Sequence, residues 1–487
     1  MQNKPIVNCR ILFQQYKGVT QLKFHSSTKA GNKKNTIGLC VYYSYSRICV
    51  ISAINFFICS KHKNMIVRFF YNLFVVFYPL VARIISVKNV KARLWIQGRK
   101  NIFRRLKDAF EHNQHKVIWV HCSSLGEFEQ GRPVMEKLKQ QYPQYKILLT
   151  FFSPSGYEVR KDYKGADWIF YLPMDSPIVA KRFFDIVNPS LVLFIKYEFW
   201  FYYLNEAKKR NIPLLLISGI FREGQPFFKW YGLFHRRMLQ CFTHLFVQNE
   251  DVVLLLKSIG FDSKATVSGD TRFDRVVEIA DNFLSISEVE KFIADNKVIV
   301  AGSTWTEDDE ELDHYANTHP EIKFIIAPHD IDEERLKDCS SLYKRSILYS
   351  EWKEQSGVGL TSKQYNVLII DNIGMLSRLY AYATVCYVGG GFGDDGVHNV
   401  LEAAVYKKPV VFGPVYEKYL EAVGLIDEEG GFSIESALEL EKILDELLLQ
   451  GEDYDKYAAN AGNYVKQHAG AVDKVMRYIE EKRLLTN

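Results

Sequence analysis

The sequence predicts an α/β protein of two successive, doubly wound parallel-sheet domains, on three observations. From residue 116 onward, short continuous apolar runs alternate with helical stretches, the pattern of strands buried on both faces and joined by crossover helices. The alternation breaks at a polar helical stretch, residues 275–296, and then restarts. The length of 487 residues exceeds what one ordinary core organises, and makes domains of about 150–200 residues the default.

The segment ahead of this alternation reads differently. Residues 1–64 show no clear period, and the apolar stretch at 37–60 carries Arg47 in its middle, where a membrane span tolerates charge poorly. No small-residue cleavage site follows it, which argues against a signal peptide. Met65 is followed at once by IVRFFYNLFVVFYPLVARIIS, so the expectation is that the chain proper starts there and that 1–64 is a non-native or disordered leader. Ile66–Ile85 has about the length a membrane span needs. Between 61 and 110 there are twelve Lys and Arg against the single acid Asp108, a basic block suited to an anionic membrane surface. Residues 65–114 are therefore expected to be a membrane-associated helix and basic segment, with the basic side in the cytoplasm. The plainer alternative is a buried helix of the first domain. No nucleic-acid module accompanies the basic block. The eight cysteines form no C-x-x-C pair or zinc spacing, so a reducing compartment is expected and no metal is assigned.

Within 115–280 the runs KVIWVHC, KILLTFFS, DWIFYLP, LVLFIKYEFW, PLLLISG, THLFVQN and KATVSGD read as strands. Residues 281–296 read as a linker. In 297–487 the strands are KVIVAGST, KFIIAPH, NVLIID, ATVCYVGG and KPVVFGP.

Two stretches invite chemistry. In WVHCSSLGEFEQGRP a carboxylate, Glu127, stands just past an apolar strand. It either complements the positive end of the next helix or acts as a base in the cleft where α/β sheets bind ligands. In GGGFGDDGVHNVLEAAVYKKPVVFGP a strand runs into a glycine-rich loop, then His398-Asn399 and the helix VLEAAVY. Glycines let backbone N–H groups approach an anion, and Glu402 is placed for a ribose diol. The loop matches neither a Walker loop nor a G-x-G-x-x-G fingerprint. Asp330-Ile331-Asp332 has the D-x-D spacing, which is common by chance.

The ordered motifs IWVHCSSLGEFEQGRP, LLTFFSPSGYE, YLPMDSP, PSLVLFIKYEFW, VSGDTRFD, AGSTW, DNIGMLSRLYAYATVCYVGGGF and GVHNVLEAAVYKKPVVFGP closely resemble the 3-deoxy-D-manno-octulosonic acid (Kdo) transferases, over roughly residues 65–470. The resemblance implies the GT-B architecture: two Rossmann-like domains with a cleft between them, acceptor on the first and CMP-Kdo on the second. It implies transfer of Kdo from CMP-Kdo to a lipid A precursor (lipid IVA), with inversion, in lipopolysaccharide core synthesis of Gram-negative cells. The implied location is the cytoplasmic face of the inner membrane, without nucleic acid, obligate protein partner or cofactor beyond the donor.

Carried over by motif, Glu127 is the general base, Glu198 assists the transition state, and Arg272 is the basic residue of GDTRFD, an arginine where lysine is usual. Lys196 replaces the usual first glutamate beside Glu198. The CMP contacts fall on Pro328 and His329, whose usual arginine neighbour is missing, on Ile373, Gly374 and Met375, and on Asn399, Val400, Leu401 and Glu402. The rival readings are a GT-B glycosyltransferase or sugar-nucleotide epimerase using a UDP-sugar, and a non-catalytic membrane-surface protein of the same fold.

Overall fold

The computed structural model describes residues 10–16, 19–25, 66–355 and 362–486. It divides into two compact units, residues 1–62 and 63–487. In the first unit, strands β1 (Arg10–Tyr16) and β2 (Val19–His25) form an antiparallel pair. The register sets Ile11 opposite Phe24 and Phe13 opposite Leu22. This alternation is a strand period that the sequence reading did not find. The Met65 start and the 37–60 stretch lie outside the described residues.

The second unit holds two seven-stranded sheets. The first comprises β3 (Val117–Cys122), β4 (Lys146–Phe151), β5 (Trp168–Tyr171), β6 (Pro189–Ile195), β7 (Leu214–Gly219), β8 (His244–Val247) and β9 (Ala265–Val267), in the order β5-β4-β3-β6-β7-β8-β9. Every pairing is parallel. Successive residues of a strand feed opposite faces. Trp119, Leu148, Val192 and Phe194 pack into one core, and Ile118, Val120, Leu149 and Leu193 into the other.

The second sheet comprises β10 (Val298–Thr304), β11 (Lys323–Pro328), β12 (Ser346–Leu348), β13 (Val367–Ile369), β14 (Val385–Val388), β15 (Val410–Phe412) and β16 (Gly431–Ser433). Its order is β12-β13-β11-β10-β14-β15-β16, again parallel throughout. The edge strands β12 and β16 were not expected; at three residues each they carry no readable period.

In the first sheet the chain lays β3, β4 and β5 outward on one side of the centre, then returns to build the other side; in the second, β12 takes the edge and β13 fills the place between it and β11 before the chain crosses to β14. This creates a switch point between β3 and β6 in one lobe and between β10 and β14 in the other. Such points open a crevice at the carboxyl ends of the strands.

Two domain expectations need correction. The 281–296 linker is packed structure: helix Ser287–Ile293 buries Val289 and Phe292 completely in the core of the second lobe. The chain's last helix, Ala471–Glu481, was assigned to the second lobe but packs on the first, where Val475, Met476 and Ile479 join Ile118 and Leu149. Asp274, on helix Thr271–Asp281, accepts the N–H groups of Gly470, Ala471 and Val472 at 3.0, 3.1 and 3.2 Å, capping this helix at the crossing.

Helix Ile66–Ile85 docks by one face only. Arg68, Tyr71, Asn72, Val75 and Tyr78, at helical spacing, turn toward the first lobe. The Tyr71 hydroxyl donates to Asp175 and accepts the Phe201 N–H at 3.1 Å, and the Tyr202 hydroxyl donates to Asn72 at 2.5 Å. Tyr78 packs on Trp95 and Phe152. The opposite face leaves Phe69, Phe70, Phe74, Val76, Phe77 and Ile84 exposed.

Candidate active site

At the first switch point, β3 ends in Ser123-Ser124 and helix Leu125–Gln141 begins. This helix lies close on the sheet because Gly131 has no side chain; a Cβ there would meet Ile195 at 3.0 Å and the Cys122 sulfur at 3.3 Å. Glu127 lies one turn in and is 7% exposed. Its Oε2 accepts the Ser124 N–H at 3.0 Å and the Ser124 hydroxyl. The helix-cap reading of Glu127 is thus met in the geometry, and both bonds fall on the same oxygen.

Strand β6 stops at Ile195, earlier than the run LVLFIKYEFW suggested, because Lys196 takes a left-handed backbone conformation (φ 68°) that turns the chain out of the sheet. The turn sends Glu198 back across the β3 end. Its Oε2 accepts the Trp200 indole N–H at 2.6 Å and lies 3.4 Å from His121 Nε2. Burial works to raise its pKa, yet hydrogen bonds from His121, Ser123 and Trp200 hold it below the usual glutamate value. Two carboxylates are therefore held at one switch point, Glu198 by Trp200 and His121 and Glu127 by Ser124.

Arg272 follows Asp270, the N-cap of helix Thr271–Asp281. Asp270 accepts its Nε and Nη2 at 3.0 and 2.8 Å, while Nη1 donates to Glu421 of the second lobe at 2.7 Å. Asp270 also accepts Gln130 at 2.9 Å and Gln248 at 3.2 Å. Burial would raise the Asp270 pKa, but Arg272 outweighs it, with Lys196 contributing, and the group stays below the aspartate value. The basic residue of GDTRFD is thus held between two carboxylates.

At the second switch point, Asp308 at the start of helix Thr306–Thr318 accepts the N–H groups of Trp305 and Gly390 and the Tyr387 hydroxyl, each at 2.8 Å. These bonds fix the glycine loop against β10. The approach leaves no room for side chains: a Cβ on Gly389 would meet the Ser303 carbonyl at 2.5 Å, and Gly390 has φ 91°. Above the loop, Trp305, His329 and His398 stack, with His329 centred 4.5 Å from each of the others. The Trp305 indole donates to His398 Nε2 at 3.1 Å, which assigns the neutral His398 proton to Nδ1. Burial and then the neighbouring His329 push His398 down to about 4.

Asn399 donates to Glu402 at 3.0 Å. Burial pushes the Glu402 carboxyl up, against that bond. The helix after the loop is only Leu401–Ala404, one turn and not the expected VLEAAVY, so the loop amides stand without a long helix behind them. The other nucleotide-contact expectations divide. Val400 and Leu401 are wholly buried in the core, and Met375 nearly so. Their side chains pack the core, and any ligand contact there falls to backbone groups. Pro328 ends β11 and is buried; Ile373 is 87% exposed and Gly374 has φ 97°. Asp332, of the D-x-D spacing, caps helix Glu333–Leu342 by accepting the Arg335 N–H.

Sequence reading missed His121, Ser123, Asp270 and Glu421. His121 left a signal, an imidazole inside an otherwise apolar strand. Glu421 left none, because only the topology brings it to Arg272.

Two parallel sheets with their switch points serving one shared crevice define the GT-B class of glycosyltransferases and sugar-nucleotide epimerases. A solved example is UDP-GlcNAc 2-epimerase from Neisseria meningitidis, which is similar in fold (TM-score 0.53, 18% identity, covering 75% of this chain and all of that one). Residues 100–275 match the family model described as 3-Deoxy-D-manno-octulosonic-acid transferase (kdotransferase). A 3-deoxy-D-manno-octulosonic acid transferase of Chlamydia trachomatis is 26% identical over 390 residues, 77% of this chain and 87% of that protein. A bifunctional glycosyltransferase/methyltransferase of Fusobacterium nucleatum is 28% identical over 354 residues, 71% of this chain, which spans 54% of that protein's length. The chain is thus similar to Kdo transferases over most of its length, and its residues 100–275 carry the match to that family's model.

Proposed function

We propose that this protein transfers Kdo from CMP-Kdo to the lipid A precursor lipid IVA, with inversion, in lipopolysaccharide synthesis at the cytoplasmic face of the inner membrane. The observation that carries the reading is the pair Glu127 and Glu198, held at the β3/β6 switch point by Ser124 on one side and by Trp200 and His121 on the other, in a chain whose residues 100–275 match the Kdo transferase family model. An acceptor hydroxyl oxygen attacks the anomeric carbon as the bond to the CMP phosphate breaks. CMP leaves with that electron pair, and Glu127 takes the hydroxyl proton. Glu198, kept ionised, stabilises the developing cationic centre. A single displacement from the face opposite the leaving group gives inversion. The glycine loop and the Trp305–His329–His398 stack are assigned to the donor, and Asn399 and Glu402 to its ribose. Lys196 is assigned to the charge of the leaving phosphate, and Arg272, shared between Asp270 and Glu421, to holding the two lobes together beside it.

The exposed face of helix Ile66–Ile85 and the basic residues after it are assigned to the membrane surface. The docked seam supports a helix lying on the surface, because spanning would strip Tyr71 and Asn72 from their partners on the lobe. The test is CMP release and the mass of the lipid product, using purified full-length protein with CMP-Kdo and lipid IVA. An added Kdo mass supports the reading. Tight binding of UDP without CMP would instead favour the UDP-sugar alternative.

A further inference from the structure

We propose that His121 is a positioning residue, an imidazolium that holds the Glu198 carboxylate over the β3/β6 switch point through a charged hydrogen bond. This rests on the reading of Glu198 given above. His121 is completely buried on β3, directly opposite Phe194 of β6 and so beneath the turn that carries Glu198.

Proton accounting assigns its state. The Thr150 hydroxyl oxygen accepts the Trp119 indole N–H at 2.8 Å, since an indole only donates. His121 Nδ1 lies 2.9 Å from that oxygen and 3.1 Å from the Thr150 carbonyl, which only accepts, so Nδ1 carries a proton. Nε2 then faces Glu198 Oε2 at 3.4 Å. Two bare acceptors would repel at that distance in a buried site, so a second proton lies between them. Trp200 already donates to the same oxygen, and Ser123 also bonds the carboxylate, which favours its ionised form and leaves the proton on Nε2.

The chain Trp119–Thr150–His121–Glu198–Trp200 thus runs from the sheet core to the crevice. Its effect is to fix the carboxylate and keep it an anion despite burial. Both matter only when positive charge develops on the sugar, so the loss falls on turnover and spares binding.

The test uses full-length protein carrying His121→Gln or His121→Asn. The Gln amide nitrogen reaches the place of Nε2 and keeps a donor on Glu198; the Asn amide reaches only the place of Nδ1. With CMP-Kdo and lipid IVA, the Asn variant is expected to lose about tenfold to a hundredfold in kcat, the worth of a hydrogen bond to a charged group, with both KM values nearly unchanged. The Gln variant should recover part of that loss. Equal losses in the two variants, or a change confined to KM, would overturn the proposal. Independently of activity, ring 15N spectra at pH 7 should show His121 protonated on both nitrogens, and on one only in Glu198→Gln. A singly protonated ring in the unaltered protein overturns the proposal. Absence of transfer by the unaltered protein would overturn the functional reading alone, since the ring spectra still decide the state of His121.

Discussion

Arg272 and Glu421 lie 149 residues apart and join the two lobes through one 2.7 Å charged hydrogen bond, Nη1 to Oε1. Asp270 takes the other side of the same guanidinium. A planar fork serves both carboxylates at once, which an ammonium cannot do. Arg272→Lys should therefore lower stability by about 2–3 kcal/mol, as the loss of a charged hydrogen bond in a largely buried network. Glu421→Gln should cost less, because its amide oxygen still accepts. Urea denaturation of both variants checks this, and an unchanged midpoint for Arg272→Lys would refute it.

Glu127 caps its helix, and the proposed function also makes it the base; substitution can separate the two. Glutamine at this position keeps an acceptor for the Ser124 N–H, as it does in natural capping boxes, but cannot take a proton. Glu127→Gln should leave the melting temperature nearly unchanged while transfer falls about 10²–10⁴-fold. Glu127→Ala should lose transfer and also about 0.5–2 kcal/mol of stability through the missing cap. If Glu127→Gln keeps more than about a tenth of normal turnover, the base assignment fails.

His398 gives the second lobe an acid limit. Its folded pKa is pushed down to about 4 by burial and by His329, with Asp395 opposing weakly and Trp305 donating to its ring. Because the folded value lies below the ordinary histidine value of 6.5, the unfolded chain binds the proton more readily. The contribution of the neutral ring is complete above pH 6.5 and is lost as pH falls toward 4. Thermal melts from pH 7 to pH 4 should show this decline, and it should be smaller in His398→Asn. An equal slope in that variant would remove His398 as the cause.

Asp175 acts in the opposite sense. Burial pushes it up to about 6, against hydrogen bonds from Tyr71 and the N–H groups of Tyr202 and Tyr203. Its stabilising contribution is therefore complete below pH 3.8 and declines as pH rises through 6. Asp175→Ala leaves those three donors without their acceptor. Amide exchange in helices Ile66–Ile85 and Phe201–Lys209 should then speed up at pH 6 while the β3–β6 core stays protected. Unchanged exchange in both helices would show that the docked face is held by its aromatic packing alone.

The central strands were legible because buried parallel strands write themselves as apolar runs; all six residues of β3 are buried. The second sheet's edge strands β12 and β16 were not, since SIL and GFS lack the longer apolar run that marks the central strands. Glu127 and Glu198 could be located from motifs just past strand ends. Their partners were harder to see. Ser123 and His121 act through side-chain direction, which depends on register, and Glu421 meets Arg272 only after both sheets have formed. The last helix was placed with the wrong lobe because nothing in AVDKVMRYIEE records which apolar face will receive it.

The one-sided docking of helix Ile66–Ile85 has a consequence for reach. Its inner face is bonded to Asp175 and Tyr202 on the same lobe that carries Glu127 and Glu198, so there is no slack leash between the apolar face and the carboxylates. Whatever surface covers that outer face is held at a fixed altitude below the crevice. On the proposed function, a reacting hydroxyl is then selected by how high it stands above the layer that bears it as well as by its chemistry. The search for it shrinks from a volume to a plane.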